Sequence, residues 1–194
     1  MTTKPYLAGL QEMGAVWSNS AAAASRWITQ GLVDPDAARV VSGSRYWPLG
    51  WVRDTGPQLQ RKSPVLDQAA LDRIVEEQSP GRWVFAKEEL PPIIGSKELT
   101  ALFGLPAPSV TGFISEGRFG RPDWHVSGSP LWLLDTAVDL LPILRARSEA
   151  GRARSRKWEI DREVEAALRE GRYDGPGSQI LLRGKGAVAA KGGA

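Results

Sequence analysis

Apolar positions recur at helical spacing in several short segments, each closed by a glycine or proline break. Within Lys97 to Phe103, Leu99, Leu102 and Phe103 share one helical face. Gly104-Leu105-Pro106 stops that helix, because glycine accepts positive φ and proline cannot continue the hydrogen-bond ladder. Pro108 suits the first turn of a second helix running to Glu116, with Val110, Phe113 and Ile114 on its buried side and Gly117 at its end. Asp123 to Val126 and Leu131 to Leu133 then read as short strands flanking the turn Ser127-Gly128-Ser129-Pro130. Asp135 offers an N-cap for a closing helix with Val138, Leu140 and Leu141.

The same order of signals occurs earlier in the chain. Trp27-Ile28-Thr29-Gln30-Gly31 recurs as Phe113-Ile114-Ser115-Glu116-Gly117, an offset of 86, and Val41-Ser42-Gly43-Ser44 recurs as Val126-Ser127-Gly128-Ser129, an offset of 85. Trp47 and Trp132 fall in register after these turns. Two matches in order at nearly one offset mark an internal repeat. Two short helices joined by a tight turn form a helix-turn-helix, and the strand pair that follows is a wing.

Residues 93–142 resemble the winged helix-turn-helix of the MerR-like superfamily, in particular its phage excisionase and AlpA-type members. The resemblance rests on Glu98-Leu99-Thr100-Ala101-Leu102-Phe103-Gly104, Val110, Phe113 to Gly117, Phe119, Pro122, Ser127-Gly128, Trp132 and Asp135. The repeat extends it to residues 7–54, although the first copy has an alanine-rich second helix, Ser20 to Trp27, and no Gly-x-Pro turn. The expected fold is mainly α with short β-hairpin wings: tandem winged helix-turn-helix units plus a long C-terminal helix.

The expected boundaries are 5–55 for the first unit, 56–90 for a linker with a bracing helix and strand, and 91–142 for the second unit. A basic then acidic helix follows over 143–172, and a flexible tail over 173–194. In the middle section Leu66, Ala70, Leu71, Ile74 and Val75 make one apolar stripe, which needs a partner surface. Trp158, Ile160, Val164, Ala167 and Leu168 give the C-terminal helix its own partial stripe. Such a helix projecting from a winged unit can be a dimerisation arm, or it can dock on its own domain.

Charge adds a candidate partner. The net charge is only +3, but Arg145, Arg147, Arg152, Arg154, Arg156 and Lys157 stand close together against the single acid Glu149. A basic cluster in a chain of pI near 9.4 suits a polyanion, since neutralised phosphates release counterions; the bland reading is a solvated helix face. The expected partner is double-stranded DNA, with a homodimer or higher assembly through the C-terminal helix. Ser20, Ala23 and Arg26 would face DNA in the first unit, and Ser109, Thr111 and Gly112 in the second. Arg45, Arg118, Arg121 and His125 would hold phosphates, with Arg145, Arg147, Arg152 and Arg154 adding positive potential. An alternative is that the first copy packs without reading DNA.

Catalytic chemistry has little to stand on. One histidine and no cysteine exclude cysteine nucleophiles and the usual zinc clusters, and the expectation is a non-enzyme that needs no cofactor. The eight tryptophans read as fillers of small cores, with base stacking on single strands as the functional alternative. Nothing in the sequence resembles a leader or a membrane span, so the expected location is cytoplasmic, at the nucleoid. Two functions remain open: a bacterial or phage sequence-specific DNA binder (transcriptional regulator, excisionase-like architectural factor or partition adaptor), and a structural protein of a phage particle or filament that uses the same fold for protein contacts.

Overall fold

Each Ser-Gly pair closes a two-residue hairpin. Ser42 and Gly43 have φ of 51° and 81°, and Ser127 and Gly128 have 49° and 74°. Positive φ at both central residues is the turn whose twist matches that of paired strands. The structure, a computed structural model, describes residues 3–56, 65–150 and 158–180.

In the first unit β1 (Leu7–Ala8) leads into α1 (Leu10–Val16) and α2 (Ala21–Thr29), then the hairpin β2 (Arg39–Val41) and β3 (Ser44–Pro48), then α3 (Leu49–Thr55). After α4 (Gln68–Gln78) the second unit repeats the series with β4 (Ile93–Ile94), α5 (Ser96–Leu102), α6 (Ala107–Ser115), β5 (Trp124–Val126), β6 (Ser129–Leu133) and α7 (Leu134–Asp139). Two antiparallel three-stranded sheets result, ordered β1-β3-β2 and β4-β6-β5. Their registers correspond: Ala8 pairs with Trp47 as Ile94 pairs with Trp132, and Val41 pairs with Ser44 as Val126 pairs with Ser129.

Trp47 and Trp132 plug the two cores at 0% and 1% exposure. Each donates its indole N–H to a backbone carbonyl of the loop after the second helix, Asp34 in one unit and Phe119 in the other, so the polar edge of the buried ring is satisfied. The turn between first and second helices is also shared. Ser18 takes φ 52° where the second unit has Gly104 at 57°, so the first copy keeps the geometry of a turn whose glycine it lacks.

The repeat runs further than the sequence signals suggested. The N–H of Asp67 donates to Val16 O, and Asp67 caps α4 by accepting from the N–H of Ala70. The N–H of Asp161 donates to Leu102 O, and Asp161 caps α9 (Arg162–Arg169) by accepting from the N–H of Glu163 and Val164. Val16 and Leu102 are equivalent, and α4 packs on α1 as α9 packs on α5. The bracing helix of the first unit therefore has a counterpart in the second.

This corrects the single long C-terminal helix. The chain forms α8 (Leu141–Ala150), and residues 158–161 are not helical. Trp158 is buried among Phe103, Phe113 and Phe119, and α9 folds back onto α5 and α7. The docked alternative describes α9 better than a projecting arm. Two smaller corrections follow: Asp135 lies inside the first turn of α7 rather than at its cap, and in place of the strand expected within 56–90 the described residues show only an isolated bridge, Arg82 with Pro5.

Residues 173–180 depart from the expected flexible tail. The Gly43 N–H donates to Gly177 O, Tyr173 packs on the second core, and burial pushes the Tyr173 hydroxyl pKa up to about 12, with Glu98 and Asp174 acting in the same sense. Residues 181–194 lie outside the described residues.

Candidate nucleic-acid interface

The two units hold each other by their hairpin tips. Glu12, at the third position of α1, accepts the N–H of Gly9 at 2.9 Å, which is half of a capping box. Gly9 has no side chain to complete it. Ser127 from the other unit does so: its Oγ accepts the N–H of Gln11 at 3.0 Å and donates to Glu12 Oε2 at 2.6 Å, while its own N–H donates to Glu12 Oε1 at 2.7 Å. The mirror set is present. Glu98 accepts the N–H of Gly95 at 3.0 Å, the N–H of Ser42 at 2.7 Å and Ser42 Oγ at 2.5 Å, and the Lys97 N–H donates to Ser42 Oγ at 3.0 Å.

Glycine is required at both caps, since a Cβ on Gly9 would stand 2.3 Å from Ser127 Oγ and one on Gly95 2.5 Å from Ser42 Oγ. Residues of both sheets, including Leu7, Tyr46, Ile93, Trp124 and Leu131, form an apolar cluster between the units. Burial raises the Tyr46 pKa, hydrogen bonds from Ser129 and Ser44 oppose that shift, and Glu12 and Glu98 both add to it. Tyr46 therefore sits between the two clasps, close to the approximate two-fold relation of the units.

The second helices show which candidate residues face outward. Ser20 caps α2 by accepting the N–H of Ala23 at 3.2 Å. Ala23, Ala24 and Trp27 are buried, so Ala23 cannot face DNA as expected. Its place on the outer face is taken by Ala22, Ser25 and Thr29, which are exposed with Arg26 and Gln30. On α6 the exposed residues are Ala107, Pro108, Thr111 and Ser115, with Ser109 and Gly112 half-buried. Thr111 Oγ1 donates to Ala107 O and Ser115 Oγ to Gly112 O, and a Cβ on Gly112 would meet nothing within 4 Å.

The cationic candidates are more scattered. Arg45 is half-buried in a groove of about 780 Å³ that α2 forms with the hairpins, alongside Ser25, Thr29, Ser44 and Lys97. Ser25, Thr29 and Lys97 were missed in the sequence; Ser25 and Thr29 lie on the α2 face adjacent to Arg26, a signal that helical periodicity contains. Arg118 stacks over Phe113 at 4.6 Å and pairs with Glu116. Arg121 and His125 are exposed. Arg145 donates to Trp158 O and thereby ties α8 to the segment before α9, while Arg147 is exposed. Arg152 and Arg154 lie outside the described residues.

Ser42 and Ser127 are each bound to a carboxylate of the opposite unit, so the two hairpin tips form a reciprocal clasp between the units. Among the described residues no group of acids and histidine is arranged to hold a metal ion, and no helix is long and apolar enough to cross a membrane. Comparison with family models, with curated proteins and with solved structures yields no match.

Proposed function

We propose that the chain binds duplex DNA through the outer faces of α2 and α6, placing two unlike helix-turn-helix units on one site. The observation that carries this reading is the character of those faces. Both second helices leave small and hydroxyl-bearing residues exposed, Ala22, Ser25 and Thr29 on one and Thr111 and Ser115 on the other, and small residues let a helix approach the floor of a major groove. Arg26 supplies the group suited to a bidentate contact with guanine. Arg45, Arg118, Arg121 and Arg147 supply phosphate contacts in place of the wing tips, with His125 on the strand beside one of them. Because the units are related by an approximate two-fold but differ in sequence, the target is an imperfect palindrome.

An assembly role needs a different surface. The large apolar side chains exposed among the described residues are few: Val65 and Phe85 in loops and Ile143 on α8.

Selection of duplexes from a random-sequence pool, followed by salt titration of the enriched site, tests the proposal. The expected result is a sequence with two unlike half-sites and a slope of log K against log salt of about −3.6 if those four arginines each neutralise one phosphate. Recovery of no preferred sequence would sink it, and a chain that ignores DNA while sedimenting as a large oligomer would favour assembly.

A further inference from the structure

The extended repeat exposes a difference between the two cores. In the second unit the chain entering α9 lays Trp158 into the core, with ring centroids 5.8 Å from Phe103 and 6.2 Å from Phe119. Trp158 stands three residues before the capping Asp161. In the sequence the residue three before the capping Asp67 is a proline, Pro64, which lies outside the described residues. In the first unit α1, the loop after α2 and α3 border an open pocket of about 420 Å³ beside the equivalents of Phe103 and Phe119, lined by Met13, Trp17, Leu32, Val33, Trp51 and Asp34 among others, while Trp27, at the Phe113 position, is buried outside that lining. Trp17 occupies the Phe103 position, and Val33 stands where the second unit has the larger Phe119. That volume is ordinary for a small-molecule site lined by apolar and aromatic groups with a few polar ones.

We propose that this pocket binds a small planar aromatic amine, whose ring takes the place that the Trp158 indole holds in the second unit. The class of ring follows from that internal equivalent. The charge follows from the loop after α2: the first unit carries Asp34 on the pocket wall and Asp36 beside it, whereas the second unit carries Arg118 and Arg121 in the same loop. Asp34 is exposed at the mouth, where its carboxylate attracts an ammonium group. Trp17 and Trp51 are half-buried, and their rings add stacking and cation–π attraction. Trp17 is held in place by its indole N–H, which donates to Val52 O at 3.1 Å. The pocket is separate from the outer faces of α2 and α6, so its occupancy and DNA binding stand or fall independently.

Titration of the full chain with tryptamine, indole and indole-3-acetate, followed by calorimetry and tryptophan fluorescence, tests the inference. Tryptamine should bind saturably at one site, and indole-3-acetate about fivefold more weakly, the size of one exposed charge contact. Val33→Phe, which restores the bulk of the second unit, should remove tryptamine binding while leaving the far-ultraviolet circular dichroism unchanged. Asp34→Asn should abolish the preference for the amine but keep indole binding. Absence of saturable binding of tryptamine to the unmodified chain, or undiminished binding by a folded Val33→Phe variant, would overturn the proposal.

Discussion

Ser42 and Ser127 each take a left-handed backbone that serine adopts reluctantly, and each is held there by a carboxylate of the opposite unit. The carboxylates are unequally buried: Glu98 is 2% exposed and Glu12 is half-buried. Removing a buried acceptor strands its donors, here the N–H groups of Gly95 and Ser42. Glu98→Ala should therefore lower stability by on the order of 2–4 kcal/mol in urea unfolding, and Glu12→Ala by about half as much. Glu98→Gln should cost nearly as much as the alanine change, because its amide NH₂ would face donors. Equal, negligible losses would mean that the clasps do not hold the units together. At this scale the sequence was half legible. Ser-Gly repeated in register announces two hairpins, and Glu98 before an apolar run announces a helix start. Which serine meets which glutamate is a tertiary fact that no local spacing carries.

At the scale of elements the outcome divided by how local the deciding signal is. The helix pairs, the hairpins and the tryptophan plugs depended on periodicity and turn chemistry within a few residues, and they formed where expected. The single C-terminal helix was not found because its polar spacing continues past residue 157, while the described residues 158–161 are not helical: Trp158 is buried in the second core and Asp161 caps a separate α9. The signal was present in the pair Leu66-Asp67 and Ile160-Asp161, each an apolar residue followed by a capping acid ahead of a helix. Glycine-rich composition in the last segment also misled, because the backbone of Gly177 is what meets the first hairpin. Gly177 has φ 99°, and a Cβ there would lie 2.3 Å from Glu98 Oε1. Gly177→Val should thus lower the midpoint of thermal unfolding by several degrees, as a loss of more than about 1 kcal/mol implies. An unchanged midpoint would show that residues 173–180 contribute nothing to the fold.

For the whole molecule, the chain behaves as an isologous dimer written into one polypeptide: each unit gives its hairpin tip to the other and receives one in return. Fusion lets the halves diverge. The first keeps an alanine-rich second helix with Arg26, and the second keeps Thr111 and Ser115, so the two outer faces are unlike. The repeated order of helices and hairpins was legible because both copies retained their turns. The reciprocal clasp of the hairpin tips was not, because it joins residues more than fifty positions apart. Of the α2 residues expected to face outward, Ser20 and Arg26 are exposed and Ala23 is buried, its small size fitting a groove wall and a tight helix crossing equally well. The most direct test compares two arginine substitutions that remove the same charge, using fluorescence anisotropy on the enriched duplex and on duplexes mutated in one half-site. Arg26→Ala should weaken the preferred site by about 1–3 kcal/mol and erase discrimination at one or two positions of a single half-site, whereas Arg121→Ala should weaken all sequences alike and reduce the salt slope by about one. Identical, sequence-blind losses for the two variants would contradict base reading by the first unit, and with it the account of two unlike readers in one chain.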